Sequence, residues 1–284
     1  MSQESSHPGR EGGPHRVVVI VDENSNPFEL GCATEVFGLR RPEIGRDLYD
    51  FTLCSPEPRT LMRDGFFTLT GVADLEAADS ADTLIVPNRP DVEVPRRPAV
   101  LDAVRRAHAR GARLVGFCSG AFTLAEAGVL DGRRATAHWQ WADSFRARFP
   151  TVQLEPDVLF VDDGDILTAA GSAAALDLGL HLVRRDHGAE IANSVSRRLV
   201  FAAHRDGGPA AVRGAAGARR AGRVPGPGTG LGTGTAERTP CRARHRGARG
   251  TESRNLAPPL PGPVGHHSTR VAHRGTPRPR LPVD

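Results

Sequence analysis

From residue 16 to residue 204 the chain alternates between short β-branched runs and amphipathic helical stretches. "RVVVIV" (16–21) reads as a buried strand. "FELGCATEVFGL" (28–39) has apolar residues at helical spacing, with Pro27 placed before it. "YDFTLCS" (49–55) and "DTLIVPN" (82–88) read as strands. "PAVLDAVRRAHARG" (98–111) is an amphipathic helix opened by a proline and closed by Gly111. "ARLVGF" (112–117) is another buried strand, followed by the helix "GAFTLAEAG" (120–128). "DVLFVDDGDILTAAG" (157–171) predicts a hairpin turning at Asp163-Gly164. Helices over 173–185 and 189–201 complete the series. Strands and helices in this order predict an α/β sandwich with a mostly parallel sheet, doubly wound and flavodoxin-like. Working groups in such sheets gather at the carboxyl ends of the strands.

Cys118 stands at such an end. The stretch "GFCSG" (116–120) has the G-x-nucleophile-x-G pattern with cysteine in place of serine. A strand turning sharply into a helix strains its central residue and needs small neighbours, which explains the glycines. That geometry would expose the side chain at a helix N-terminus, where partial positive charge favours thiolate over thiol. The competing reading is a small buried cysteine beside a tight turn. A nucleophile also needs a base, oriented by a third group. The residue after Cys118 is Ser119, so the nearest candidate base in sequence is His138, in "RRATAHWQW". Glu29 is the candidate acid. Both have bland readings: an acid is favoured in a first helical turn, and a histidine beside Trp139 often only packs.

Four cysteines (Cys32, Cys54, Cys118, Cys241) are scattered with no CxxC pair, so reduced thiols are expected, with neither a disulfide framework nor a zinc site. No apolar run is long enough to span a bilayer, and "MSQESSHPGREGGPH" has no apolar core, which predicts a cytoplasmic protein without a signal peptide. The net charge of +4 conceals a split. From Arg205 onward fifteen arginines face four acids, whereas the 204 residues before carry 22 arginines against 29 acids. There is no lysine at all, which suggests a GC-rich coding sequence.

Four segments, "ADTLIVPN", "RRAHARGARLVGFCSGAFTLAEAGVLDGRRATAHW", "FPTVQLEPDVLFVDDGDILTAAG" and "LDLGLHLVRRDHGAEIANSVSRRLVFAAHRDGG", stand in an order that resembles one family. They are similar to the N-terminal domain of GlxA-like transcriptional regulators, of the PfpI/ThiJ superfamily, with a class I glutamine amidotransferase-like fold. The resemblance covers roughly 16–208. It implies that Cys118 occupies the superfamily's nucleophile position and that Glu29 is the acid that hydrogen-bonds it. His138 matches the histidine of a "TTHW"-like segment. Ser119 departs from the peptidase-like members, which place histidine after the cysteine. The implied role is sensing of a small effector, with Ser119, Gly120, Gly171 and Ser172 lining its site, coupled to an AraC-type DNA-binding module. The alternatives are a cysteine-dependent hydratase or amidohydrolase, since isonitrile hydratases share these segments, and a thiol sensor oxidised at Cys118. No cofactor and no metal are expected, and a homodimer is.

The expected domains are a disordered N-terminus (1–15), the PfpI/ThiJ-like domain (16–206) and a basic tail (207–284). From Gly207 there is no Phe, Tyr, Trp, Ile or Met, so the tail is predicted to be disordered. It also lacks the amphipathic helix pairs of a helix-turn-helix. Only weak DNA binding through phosphates is therefore expected of it. One account of the tail is a frameshift near residue 209. "SRNLAPPLPGPVGHHSTRVAHRG" (253–275), back-translated with GC-rich codons and read one base later, permits "RGTLRRRFRALSGTTPLEWLTA", which resembles an AraC-type module.

Overall fold

The computed structural model describes residues 13–87 and 91–202. The expected disorder of 207–284 and of most of 1–15 lies outside them. The chain enters β1 (His15–Ile20) and turns into α1 (Pro27–Ala33), which continues as a π-helical turn over Thr34–Gly38. β2 (Tyr49–Cys54) follows, then a small hairpin of β3 (Arg59–Leu61) and β4 (Thr68–Thr70). β5 (Thr83–Val86), α2 (Pro98–Ala109), β6 (Arg113–Phe117) and α3 (Gly120–Glu126) come next. Beyond them lie β7 (Arg134–Ala135), α4 (Ala142–Arg148) and β8 (Gln153–Leu154). β9 (Phe160–Asp163), β10 (Ile166–Ala169), α5 (Ala174–His187) and α6 (Ala189–Leu199) end the described chain.

The main sheet runs β2-β1-β5-β6-β10-β9. All pairs are parallel except β10 with β9. Ignoring that antiparallel edge, the order is the 2-1-3-4-5 of a flavodoxin-like sheet, as the alternation predicts. Each strand has one face in each of two cores. Val18, Ile20, Leu84 and Leu114 face α2, α3 and α4 with Phe122 and Phe145; Val17, Val19, Ile85 and Val115 face α1, α5 and α6 with Leu178 and Val195. Burial on both faces is why these strands read as continuous apolar runs rather than alternating ones. α2 buries Val100, Ala103, Val104 and Ala107, one stripe at i, i+3, i+4 and i+7.

The predicted hairpin over 157–171 is present, but its turn sits one residue later than expected. Asp163 pairs with Ile166, leaving Gly164 and Asp165 as the two-residue loop. Gly164 takes φ +86 while Asp165 stays at negative φ, the pattern of a type II′ turn with glycine first. The β3–β4 hairpin, the β7–β8 pair and α4 are too short to show a periodic signal in the sequence. Among the described residues no helix is long and apolar enough to cross a membrane.

Candidate functional site

Cys118 directly follows β6 with φ +52, one of four non-glycine residues at positive φ among those described. Its amide donates to the Ala169 carbonyl of β10 at 2.9 Å, which locks the strained residue to the neighbouring strand. The flanking glycines are required by contact. A Cβ on Gly120 would lie 2.2 Å from the Val86 carbonyl oxygen, and one on Gly116 would lie 3.0 Å from the Ala121 nitrogen. The turn can therefore pack onto β5 only when position 120 lacks a side chain, while Gly116 lets the start of α3 sit close against β6.

Glu29 reaches the same place from α1. Asn26 caps that helix, its side-chain oxygen accepting from the Phe28 amide at 3.1 Å, and Pro27 fills the first turn. The cap also aims the Asn26 amide inward, donating to Glu29 Oε1 at 3.5 Å and to Ser172 Oγ at 3.3 Å. Ser172 follows β10, and its hydroxyl donates to Glu29 Oε1 at 2.6 Å. Glu29 and Ser119 are fully buried. Ser172 thus stands against both the acid and the thiol. The carboxyl ends of β1, β6 and β10 bring the three together, as the parallel sheet predicts.

The state of the thiol differs from the sequence expectation. Cys118 is only 4% exposed rather than standing clear above the sheet. Burial pushes its pKa up to about 12, and the Glu29 carboxylate adds to the rise. The Ser119 amide, the Ser172 hydroxyl and the Arg63 guanidinium favour the thiolate but do not offset burial. The same acid acts on Cys32, one turn further along α1, whose thiol burial also pushes up to about 12.

His138 comes near the cluster but not into it. A Cβ on Gly171 would stand 3.6 Å from His138 Cδ2, so the ring overlooks the turn that leads to Ser172. Its Nδ1 accepts from the Gln140 amide at 3.2 Å, and the ring stacks on Trp139 with centroids 5.5 Å apart. Burial lowers its pKa. A neutral ring accepting at Nδ1 carries its proton on Nε2 and presents a donor, not a base. Neither the Gln140 amide bond nor the Trp139 stack brings the ring to Cys118.

Asn26 and Arg63 are the neighbours that sequence reasoning missed. Asn26 was detectable, because Asn-Pro before an apolar helical run is an N-cap signal. Nothing in sequence connects Arg63 to Cys118. Among the described residues no cluster of three or more His, Cys, Asp or Glu could hold a metal ion.

Residues 15–185 match the DJ-1/PfpI family. The chain is 44% identical over 110 residues to the HTH-type transcriptional regulator ArgR of Pseudomonas aeruginosa, covering 39% of this chain and 33% of that protein. It is 31% identical over 191 residues to the HTH-type transcriptional regulator GlxA of Rhizobium meliloti, covering 66% of this chain and 58% of that one. The crystal structure of an AraC family transcriptional regulator from Pseudomonas putida superposes with a TM-score of 0.59 at 29% identity, over 66% of this chain and all of that one. The matches thus span about a third to three fifths of the length of these curated relatives. With a family match over well more than half of the sequence, and the sheet order and strained elbow just described, the chain belongs to the DJ-1/PfpI family.

Proposed function

We propose that the chain acts in transcription regulation, as a GlxA/AraC-type regulator whose DJ-1/PfpI domain senses a small effector beside Cys118, Glu29 and Ser172. The observation that carries this reading is the state of the site. The thiol is buried and protonated at neutral pH, and the His138 imidazole turns its basic nitrogen to a backbone amide. A cysteine nucleophile that stays a protonated thiol is a poor catalyst, whereas hydroxyl, amide and imidazole donors around a buried acid suit recognition. Ser172, Gly171 and His138, all half-buried, form the accessible rim. Similarity to regulators named for their helix-turn-helix supports the coupling to DNA. The reading includes a homodimer, supported by Phe66 and Phe67 exposed at the β3–β4 hairpin.

The tail, read as a frameshifted AraC-type module, gives this polypeptide only weak, salt-sensitive DNA binding. Tight sequence-specific shifts of DNA from its own promoter region would sink that part. So would coding DNA whose shifted frame contains an early stop. Isonitriles and amides should turn over negligibly and equally with wild type and Cys118→Ala. Turnover that depends on Cys118 would instead establish the hydratase or amidohydrolase alternative. Light scattering of the full chain should give the mass of a dimer, and a monomer would remove that element.

A further inference from the structure

The described cavity of about 270 Å³ is not at Cys118. It lies at the opposite, amino-terminal edge of the sheet, where the π turn after α1 meets the first residues of β2. Phe37, Leu39 and Phe51 form apolar walls, and Arg40, Arg41 and Arg46 face Asp47 and Asp50 around it.

Arg41 is the anomaly. It is 5% exposed, and its guanidinium donates to main-chain carbonyls only: NH1 to Val36 at 3.2 Å and to Leu39 at 2.9 Å, NH2 to Glu35. Those bonds close the open carbonyls of the π turn. They leave the buried Nε–H without a partner and the charge without an ion-paired carboxylate among the described residues. Burial holds its pKa below the ordinary arginine value, and Glu35 and Glu43 act on it only from beyond ion-pair distance. Buried charges are normally paired, because an uncompensated one costs several kcal/mol. Here a cationic wall and a cavity lie beside a buried, unmatched charge, whose Nε–H is itself covered.

We infer that this cavity is a binding site for a small organic monocarboxylate, its carboxylate held between Arg40 and Arg46 and beside the buried charge of Arg41, and its apolar body against Phe37, Leu39 and Phe51. The charge count selects a monoanion. Three arginines against two aspartates leave a surplus of one, which suits a single carboxylate and disfavours phosphates and polyanions. The volume of about 270 Å³ falls just below that of drug-sized ligand cavities, which start at about 300 Å³, and so suits a small ligand. The site is separate from the effector cluster proposed above and does not depend on it. It also adjoins the end of α6, since Arg198 of that helix pairs with Glu43 at 3.3 Å.

Calorimetric titration of the full chain with sodium benzoate tests this, at ionic strength held constant with chloride. Benzoate should bind one saturable site. Benzamide, its neutral isostere, and inorganic phosphate should each bind at least about tenfold more weakly. Arg46→Gln, on the exposed rim, should weaken benzoate about tenfold with the thermal midpoint unchanged. Three results would each overturn the assignment: no saturable benzoate heat, equal binding of benzamide or phosphate, or full affinity in Arg46→Gln. Binding lost in Cys118→Ala but kept in Arg46→Gln would place the carboxylate at the other end of the sheet, and the assignment would again fail.

Discussion

Replacing Gly120 by alanine should damage the elbow more than any comparable single methyl. The new Cβ would lie 2.2 Å from the Val86 carbonyl oxygen and 3.1 Å from its carbon. An ordinary carbon–oxygen contact needs about 1 Å more. Val86 cannot retreat, because β5 is held between β1 and β6. α3 would have to move instead, and it anchors Phe122 and Leu124, both fully buried. Overpacking with a shift of this kind costs about 3 kcal/mol or more. For a domain of this size that is roughly 6–12 °C in Tm. Gly31→Ala is the internal control: it adds the same methyl inside α1, where a Cβ meets nothing within 4 Å. Relief of glycine's backbone entropy there should stabilise by about 0.5–1 kcal/mol. Gly116→Ala, with its tightest contact at 3.0 Å, should fall between them. Thermal unfolding followed by far-UV circular dichroism ranks the three. A Gly120→Ala midpoint within about 2 °C of wild type would refute the close-approach argument.

Cys118 should alkylate slowly with iodoacetamide at pH 7 and show no thiolate absorbance at 240 nm, since burial and Glu29 push its pKa up to about 12. Glu29→Gln should lower that pKa and speed alkylation; a thiolate already present at pH 7 in wild type would contradict the burial argument. Asp186→Asn should cost about 3–5 kcal/mol in denaturant unfolding, because Arg113 is buried and forks onto Asp186 at 2.6 and 2.7 Å; a loss under about 1 kcal/mol would mean the pair is solvated. Stability should also fall in acid, in two stages. Burial and then Arg113 hold His15 below its ordinary 6.5, so its contribution is present above that pH and is lost as pH falls through the lower folded value. For Asp186, burial alone would raise the pKa, but the Arg113 fork holds it below 3.8, so a second loss follows on acidification below that value. Unfolding midpoints that stay flat between pH 7 and 3 would refute both assignments.

Much of this architecture was legible because its signals are local. The runs 16–21, 82–88 and 112–117 are apolar on both faces, and only a sheet covered on both sides accommodates that. The positive φ at Cys118 was implied by the glycines at 116 and 120, since sterics at a sharp strand–helix turn depend on adjacent residues. The hairpin was legible but its register was not, because glycine suits either position of a tight turn and strand pairing decides between them. Periodicity could not reveal β3, β4, β7 and β8, which have two or three residues each.

The chemistry of the site belongs to tertiary structure. Sequence placed a cysteine on an elbow, but its protonation depends on how deeply α1 and the turn after β10 cover it. The hydroxyl of Ser172 meets Glu29 across 143 residues of chain. His138 was a candidate base until folding turned its Nδ1 to Gln140. The unmatched charge of Arg41 exists only because the π turn folds over it. Backbone preference and hydrophobic period act between neighbours in sequence, so the sequence by itself determined the sheet, the helices and the strained cysteine. Desolvation and hydrogen-bond pairing act between neighbours in space, so only the tertiary structure decided which of those groups is charged, which is paired and where a ligand has room.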